Sequence, residues 1–151
     1  SRSDIDPTEV PRKLLPHLQI IDVIDAGARF RYRLVGTALV EAFGSEYTGK
    51  YLDEMFSGER YAVAHRIFEA VCSTQRPVFQ RNRYQTTKDV DIIANRVHRP
   101  LSEDQKSVSR IFGALTFEFG RGDVAGLWGE ATLDSSATYM ELVDLRAAPN
   151  A

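Results

Sequence analysis

The 151-residue sequence contains one cysteine, Cys72. No disulfide can therefore close within the chain, which excludes a small disulfide-stapled scaffold and fits a reducing compartment. No apolar run reaches membrane-spanning length and no signal-peptide core opens the chain, so no membrane role is expected and the cytoplasm is the expected setting. The first residue is Ser1 rather than Met, as in a trimmed chain. Histidine is scarce and scattered: His17, His65 and His98 show no HExxH or similar spacing, and no metal site is expected. Lysine is scarce too, four against fifteen arginines, in a chain of net charge −2. The whole chain thus exerts no pull on nucleic acid, and its cations favour bidentate pairing with carboxylates over a diffuse basic coat. A nucleophile beside a base at recognisable spacing is also missing, so no enzyme and no catalytic residue is expected.

What is present suits one domain with a real core: 43% of residues are hydrophobic and 26% charged. The chain is organised around residues 29–56. Phe30, Tyr32 and Leu34 alternate with Arg29, Arg31 and Arg33, the period of a strand with one apolar and one cationic face. Gly36 ends that run, and Thr37 is the expected N-cap of a short helix. Leu39, Val40 and Phe43 keep helical spacing, and Gly44 suits the left-handed position beyond a helix end. Gly49 breaks the chain again before Tyr51, Leu52, Met55 and Phe56 offer a second apolar face. Helices this short need a sheet to pack on. Residues 44–50, GSEYTGK, fit a phosphate-loop spacing, but Tyr51 follows where Ser or Thr would bind magnesium, and the loop follows a helix. Two glycine breakers are the expected meaning.

Before this stretch, Asp6-Pro7-Thr8-Glu9 forms a capping-box-like start, and Leu14, Leu15 and Leu18 have the spacing of a small cap on a sheet. Residues 19–24 read as a first strand and 25–28 as a hairpin turn. After it, Ser57-Gly58-Glu59 opens a helix over residues 60–73, with Tyr61, Ala64, Phe68 and Val71 in a stripe widened by Val63 and Ile67. Strands follow at 78–84, at 90–99 with Pro100 marking the end, and at 108–119, the last apolar on both faces and so central. Residues 120–129, glycine-rich and containing Trp128, read as a loop. Residues 138–145 read equally as an extra strand or a short helix, docked on the domain or a neighbour; residues 146–151 read as disordered. Five antiparallel strands with helices on one face make an α+β domain.

The run Ala38-Leu39-Val40-Glu41-Ala42-Phe43-Gly44 followed by Tyr47-Thr48-Gly49-Lys50 resembles the front half of a PAS domain. The opening Asp4-Ile5-Asp6-Pro7 with Leu14-Leu15-Pro16-His17-Leu18 is similar to small, stand-alone bacterial PAS-like proteins. The resemblance covers residues 4 to about 119. Where many members carry Asn at the strand-to-helix turn, this chain has Gly36-Thr37. It implies strand order 2-1-5-4-3, with helices and sheet enclosing a pocket. The expected division is an N-terminal cap (1–17), a PAS-like domain (18–119) and a partly docked C-terminal extension (120–151).

The implied role is a sensory, signal-transducing module that binds a small ligand, dimerises, or both; the alternative is a purely structural interaction module. A homodimer and a signalling-protein partner are the expected associations, with no nucleic acid and no membrane. The ligand-pocket candidates are Tyr32, Phe43, Tyr47, Tyr51, Tyr61, His65 and Phe68, since tyrosines in a helix–sheet gap need polar partners. Any cofactor is unknown and none is expected, neither haem nor flavin. Haem-binding members take an axial histidine from the helix that carries His65, but a packed core histidine is the plainer expectation. Flavin light sensors place their reactive cysteine in Asn-Cys-Arg-Phe, which is lacking, so Cys72 is read as a small buried hydrophobe. His98 is expected at the sheet surface. Arg29, Arg31, Arg33, Arg81 and Arg83 are read as a solvated face paired with local carboxylates, the alternative being a grip on an anionic ligand or partner.

Overall fold

The computed structural model describes residues 10–88, 90–119 and 126–143, with backbone alone for 135–137. The expectations for residues 4–9 and 146–151 lie outside the described residues. A 3-10 turn at Arg12–His17 leads into β1 (Leu18–Ile24), a tight turn at Asp25–Gly27 and β2 (Arg29–Val35). Three helices follow: α1 (Thr37–Phe43), α2 (Leu52–Met55) and α3 (Gly58–Thr74). Then come β3 (Val78–Gln85), β4 (Asp91–Leu101), β5 (Arg110–Phe119), α4 (Leu127–Glu130) and β6 (Thr132–Leu142). All neighbouring strands run antiparallel, in the order β2-β1-β5-β4-β3-β6. The expected five-strand order holds inside this sheet, and a sixth strand is added on the β3 edge.

Local sequence explains most boundaries. Gly44, at φ 97°, closes α1 and its amide returns to the Val40 carbonyl, a conformation that glycine adopts without side-chain strain. The glycine-spaced segment therefore follows a helix, not a strand as a phosphate loop does. Three expectations are corrected. Gly36, not Thr37, is the N-cap of α1, and it supplies no side-chain bond. β4 runs through Pro100 to Leu101, because its pairing with β3 ends at His98 while Pro100 still lies opposite Ile111 of β5; the missing amide faces no third strand. Leu14 and Leu15 are 39% and 41% exposed, so the 3-10 turn covers less of the sheet than their spacing implied.

Helices α1–α3 pack over one face of the sheet. The inward residues of β3 and β4 meet in register as Val78/His98, Gln80/Arg96, Asn82/Ala94 and Tyr84/Ile92. Val78 belongs to a core cluster with Ile21, Phe30, Ile67, Phe68 and Ile111. Tyr84, Ile92 and Ala94 belong to a second, with Leu39, Leu115 and Trp128. The Gln80/Arg96 row separates the two, so the hydrophobic interior is crossed by a polar seam.

The outer face carries Phe79, Val97 and Ala114 in one cross-strand row and Leu34, Ile20 and Phe112 in another. Ion pairs flank these rows. Arg31, Arg33 and Arg110 converge on the buried Asp22, at 3.0, 3.4 and 3.3 Å. Burial opposes ionisation of that carboxyl, but the Arg31 hydrogen bond and the Arg33 charge outweigh it and hold the group below the usual carboxylate range. Arg81 meets Glu118, Arg83 meets Asp91, and Arg29 forks onto Asp53. The arginines singled out in sequence thus have local carboxylate partners.

Candidate functional site

The polar seam is built from residues that alternate into the interior. On β4 these are Arg96, 8% exposed, and His98, 1% exposed. His98 therefore lies on the inner face, not at the sheet surface as expected. Gly113 makes the room: a Cβ there would sit 2.6 Å from the imidazole Cδ2. Gln19 Nε2 donates to His98 Nε2 at 3.0 Å, which puts the ring proton on Nδ1, an atom with no partner. Burial, then the Arg96 charge, push the His98 pKa down to about 3, so the ring is neutral.

Arg96 Nη2 donates to the Tyr84 hydroxyl, while its Nε is buried without a partner. From the opposite wall, Arg60 opens the buried stripe of α3, four residues before Ala64. Its Nη1 donates to the carbonyls of Trp128, Gly129 and Ala131 at 2.9, 3.1 and 3.1 Å, and its Nη2 is buried with no partner. Both guanidinium carbons lie over the same two rings. Arg60 is 5.0 Å from the Tyr84 centroid and 5.6 Å from that of Trp128; for Arg96 the distances are 5.7 and 5.6 Å. Such contacts stabilise a cation without neutralising it. Among the described residues neither arginine makes an ion pair. Burial, aided by the Arg96 charge, pulls the Arg60 pKa below the usual guanidinium range, with Tyr84 opposing.

The seven residues singled out from sequence fall into separate places. Tyr32 and Tyr47 meet edge to face at 4.9 Å, and Phe43 bridges Tyr47 to Trp128 at 5.1 and 5.7 Å. These three line the interior with the arginines. Burial raises both tyrosine pKa values well above the ordinary value, so their hydroxyls stay protonated donors. Phe68 is core, stacked between Phe30 and His98. Tyr61 and His65 line a surface notch with Arg29, Phe30, Leu52 and Asp53. Its volume of about 10 Å³ is room for one water, so the side chains around His65 do not fit a porphyrin. Tyr51 is outside, under the Arg29 guanidinium at 3.6 Å. Cys72 is partly buried, its thiol pushed up to about 11 by burial and the nearby Glu69, an inert rather than a nucleophilic state.

Sequence reasoning missed Arg60, Arg96 and Trp128. Arg60 was findable, since residues 60, 64, 67 and 71 share one helical face. Trp128 was not, because the short helix that inserts it is embedded in a glycine-rich stretch.

An α+β domain with this strand order, short helices between the second and third strands and a long helix over the sheet defines a class of small sensory and interaction domains. A family model described as PAS domain matches residues 1–116, and the chain belongs to the PAS-domain family. That family is generally non-catalytic. No curated protein matches the sequence. The match ends before α4 and β6, so Trp128 is supplied from outside the matched segment. Among the described residues, no helix is long and apolar enough to cross a membrane, and no group of His, Cys, Asp or Glu could hold a metal ion.

Proposed function

We propose that this chain is a sensory PAS module that takes a small molecule between its inner sheet face and α1–α3, and passes occupancy on to a partner protein. The observation that carries this reading is the polar seam. A domain of this size fills its core with apolar side chains unless something is gained by doing otherwise. Here Tyr47 Oη, Arg60 Nη2, Gln80 Oε1, Asn82 Oδ1, Arg96 Nε and Trp128 Nε1 are all buried with no partner among the described residues. Each such atom costs roughly 1–3 kcal/mol, and a ligand with matching groups offsets that cost. Native mass spectrometry tests the reading: the protein purified from its host carries a small molecule that denaturation releases. Protein at its apo mass that gains no thermal stability from any compound in a metabolite library contradicts it.

A second reading, homodimerisation, is favoured by the outer sheet face. Leu34 and Val97 are 47% and 43% exposed there, within apolar rows that a second copy of the sheet would cover. Light scattering is expected to give a dimer mass that Val97→Glu reduces to the monomer. A monomer for the unaltered chain removes this reading.

A further inference from the structure

We propose that Arg60, Arg96, Tyr47 and Trp128 form a binding site for the carboxylate group of a small organic acid. The inference rests on the ligand-binding reading above and names the chemistry of the ligand. It begins with a contrast within one molecule. The outer arginines Arg29, Arg31, Arg33, Arg81, Arg83 and Arg110 each reach an aspartate or glutamate. The two inner ones, Arg96 buried at 8% exposure and Arg60 partly buried, reach none among the described residues. A buried cation such as Arg96 without a counter-charge is among the costliest arrangements in a protein, and a second, partly buried guanidinium against the same tyrosine and tryptophan repels it as well.

The hydrogen-bond inventory specifies the counter-charge. Arg60 Nη2, Arg96 Nε, Tyr47 Oη and Trp128 Nε1 are buried and unpartnered among the described residues, and all four are donors. An ionised carboxylate is acceptor-only, with about four lone-pair positions on two oxygens. Four donors match that number of lone-pair positions. Gln80, opposite Arg96 in register, has an unpartnered Oε1 that can turn toward Arg96, yet an amide brings no charge. The surroundings favour an organic acid over an inorganic anion. Phe43 and Phe117 both pack against Trp128, at 5.7 and 5.0 Å, and Phe56 packs against Phe43 at 5.7 Å. These rings offer an apolar wall to a hydrocarbon tail and no donors to the further oxygens of phosphate.

The test is isothermal titration of the full chain, first dialysed free of carboxylate buffers, with acetate, hexanoate, benzoate, phenylacetate, succinate and inorganic phosphate. At least one carboxylate is expected to bind at one per chain and to raise the melting temperature. Tyr47→Phe, which removes one hydroxyl, is expected to weaken that binding at least about tenfold, the worth of a hydrogen bond to a charged group. Arg96→Met is expected to abolish it while the chain still unfolds cooperatively; if this variant does not fold, Arg60→Met takes its place. Binding of phosphate in place of every carboxylate overturns the assignment, as does carboxylate binding indifferent to these substitutions. A neutral compound released from the purified protein also overturns it, but leaves the ligand-binding reading intact. No response to any probe together with an apo mass overturns both.

Discussion

Acidification probes the interior seam through His98. Its imidazole is 1% exposed and faces Gln19, Phe68, Gly113 and the cationic neighbour Arg96. Its pKa in the folded chain is about 3, against about 6.5 for a histidine in the unfolded chain. The folded value is the lower one, so between the two the unfolded chain binds a proton that the folded chain refuses. Stability is therefore full above about pH 6.5 and falls as pH drops toward about 3. From about pH 7 to about pH 5 the unfolded histidine goes from roughly one-quarter to nearly fully protonated, a loss of about 2 kcal/mol. Neither Asp22 nor Asp104 interferes in this window. Asp22 is held below its usual range and Asp104 at about 2, the latter by the Ser107 and Lys106 amides, so their contributions are lost only at lower pH. The assay is urea unfolding at both pH values, followed by the fluorescence of the single tryptophan, Trp128, 3% exposed. Wild type is expected to lose about 2 kcal/mol more than His98→Gln, which cannot titrate. Equal losses in the two proteins would show that His98 is hydrated in the folded state.

Further outcomes follow from packing. Leu115→Ala, at a 1% exposed position of the second core cluster, is expected to cost about 2–5 kcal/mol in urea unfolding; a loss under about 1 kcal/mol contradicts that burial. Gly129→Ala would put a Cβ 2.0 Å from the Phe43 carbonyl oxygen, so its melting temperature should fall as α4 is forced off α1, and an unchanged one contradicts the contact. Truncation after Phe119 removes Trp128, Ala131 and Leu133 from the core and uncovers the β3 edge. The shortened chain is expected to aggregate or unfold without cooperativity; retention of the wild-type transition would show that residues 120–151 are a dispensable extension.

The legible parts of the fold are those where one periodicity dominates. Phe30 and Tyr32 alternate against arginines, and both point inward at 2% and 5% exposure. Gly44 punctuates the chain at the helix end it was expected to close. The candidate site was legible only in its aromatic half, Tyr32, Phe43 and Tyr47. Its charged half breaks the rule that makes strands readable, because the inward set of β4 is Ile92, Ala94, Arg96 and His98, half polar. Alternation of apolar and polar types cannot reveal which face such a strand buries; the register against Gly113 and Gln19 does. Residues 138–145, which overlap the end of β6, read as either strand or helix for a related reason. As an edge strand with Tyr139, Met140 and Leu142 half exposed, it lacks the contrast between faces that marks an interior strand.

Arg60 touches two neighbourhoods with one planar group. One nitrogen is buried without a partner among the described residues; the other fastens three carbonyl acceptors at residues 128, 129 and 131, immediately before the strand that closes the β3 edge. A guanidinium is rigid, so it cannot tilt toward something inside without loosening its grip on that corner. The far margin of the sheet is thereby tied to the interior through one side chain.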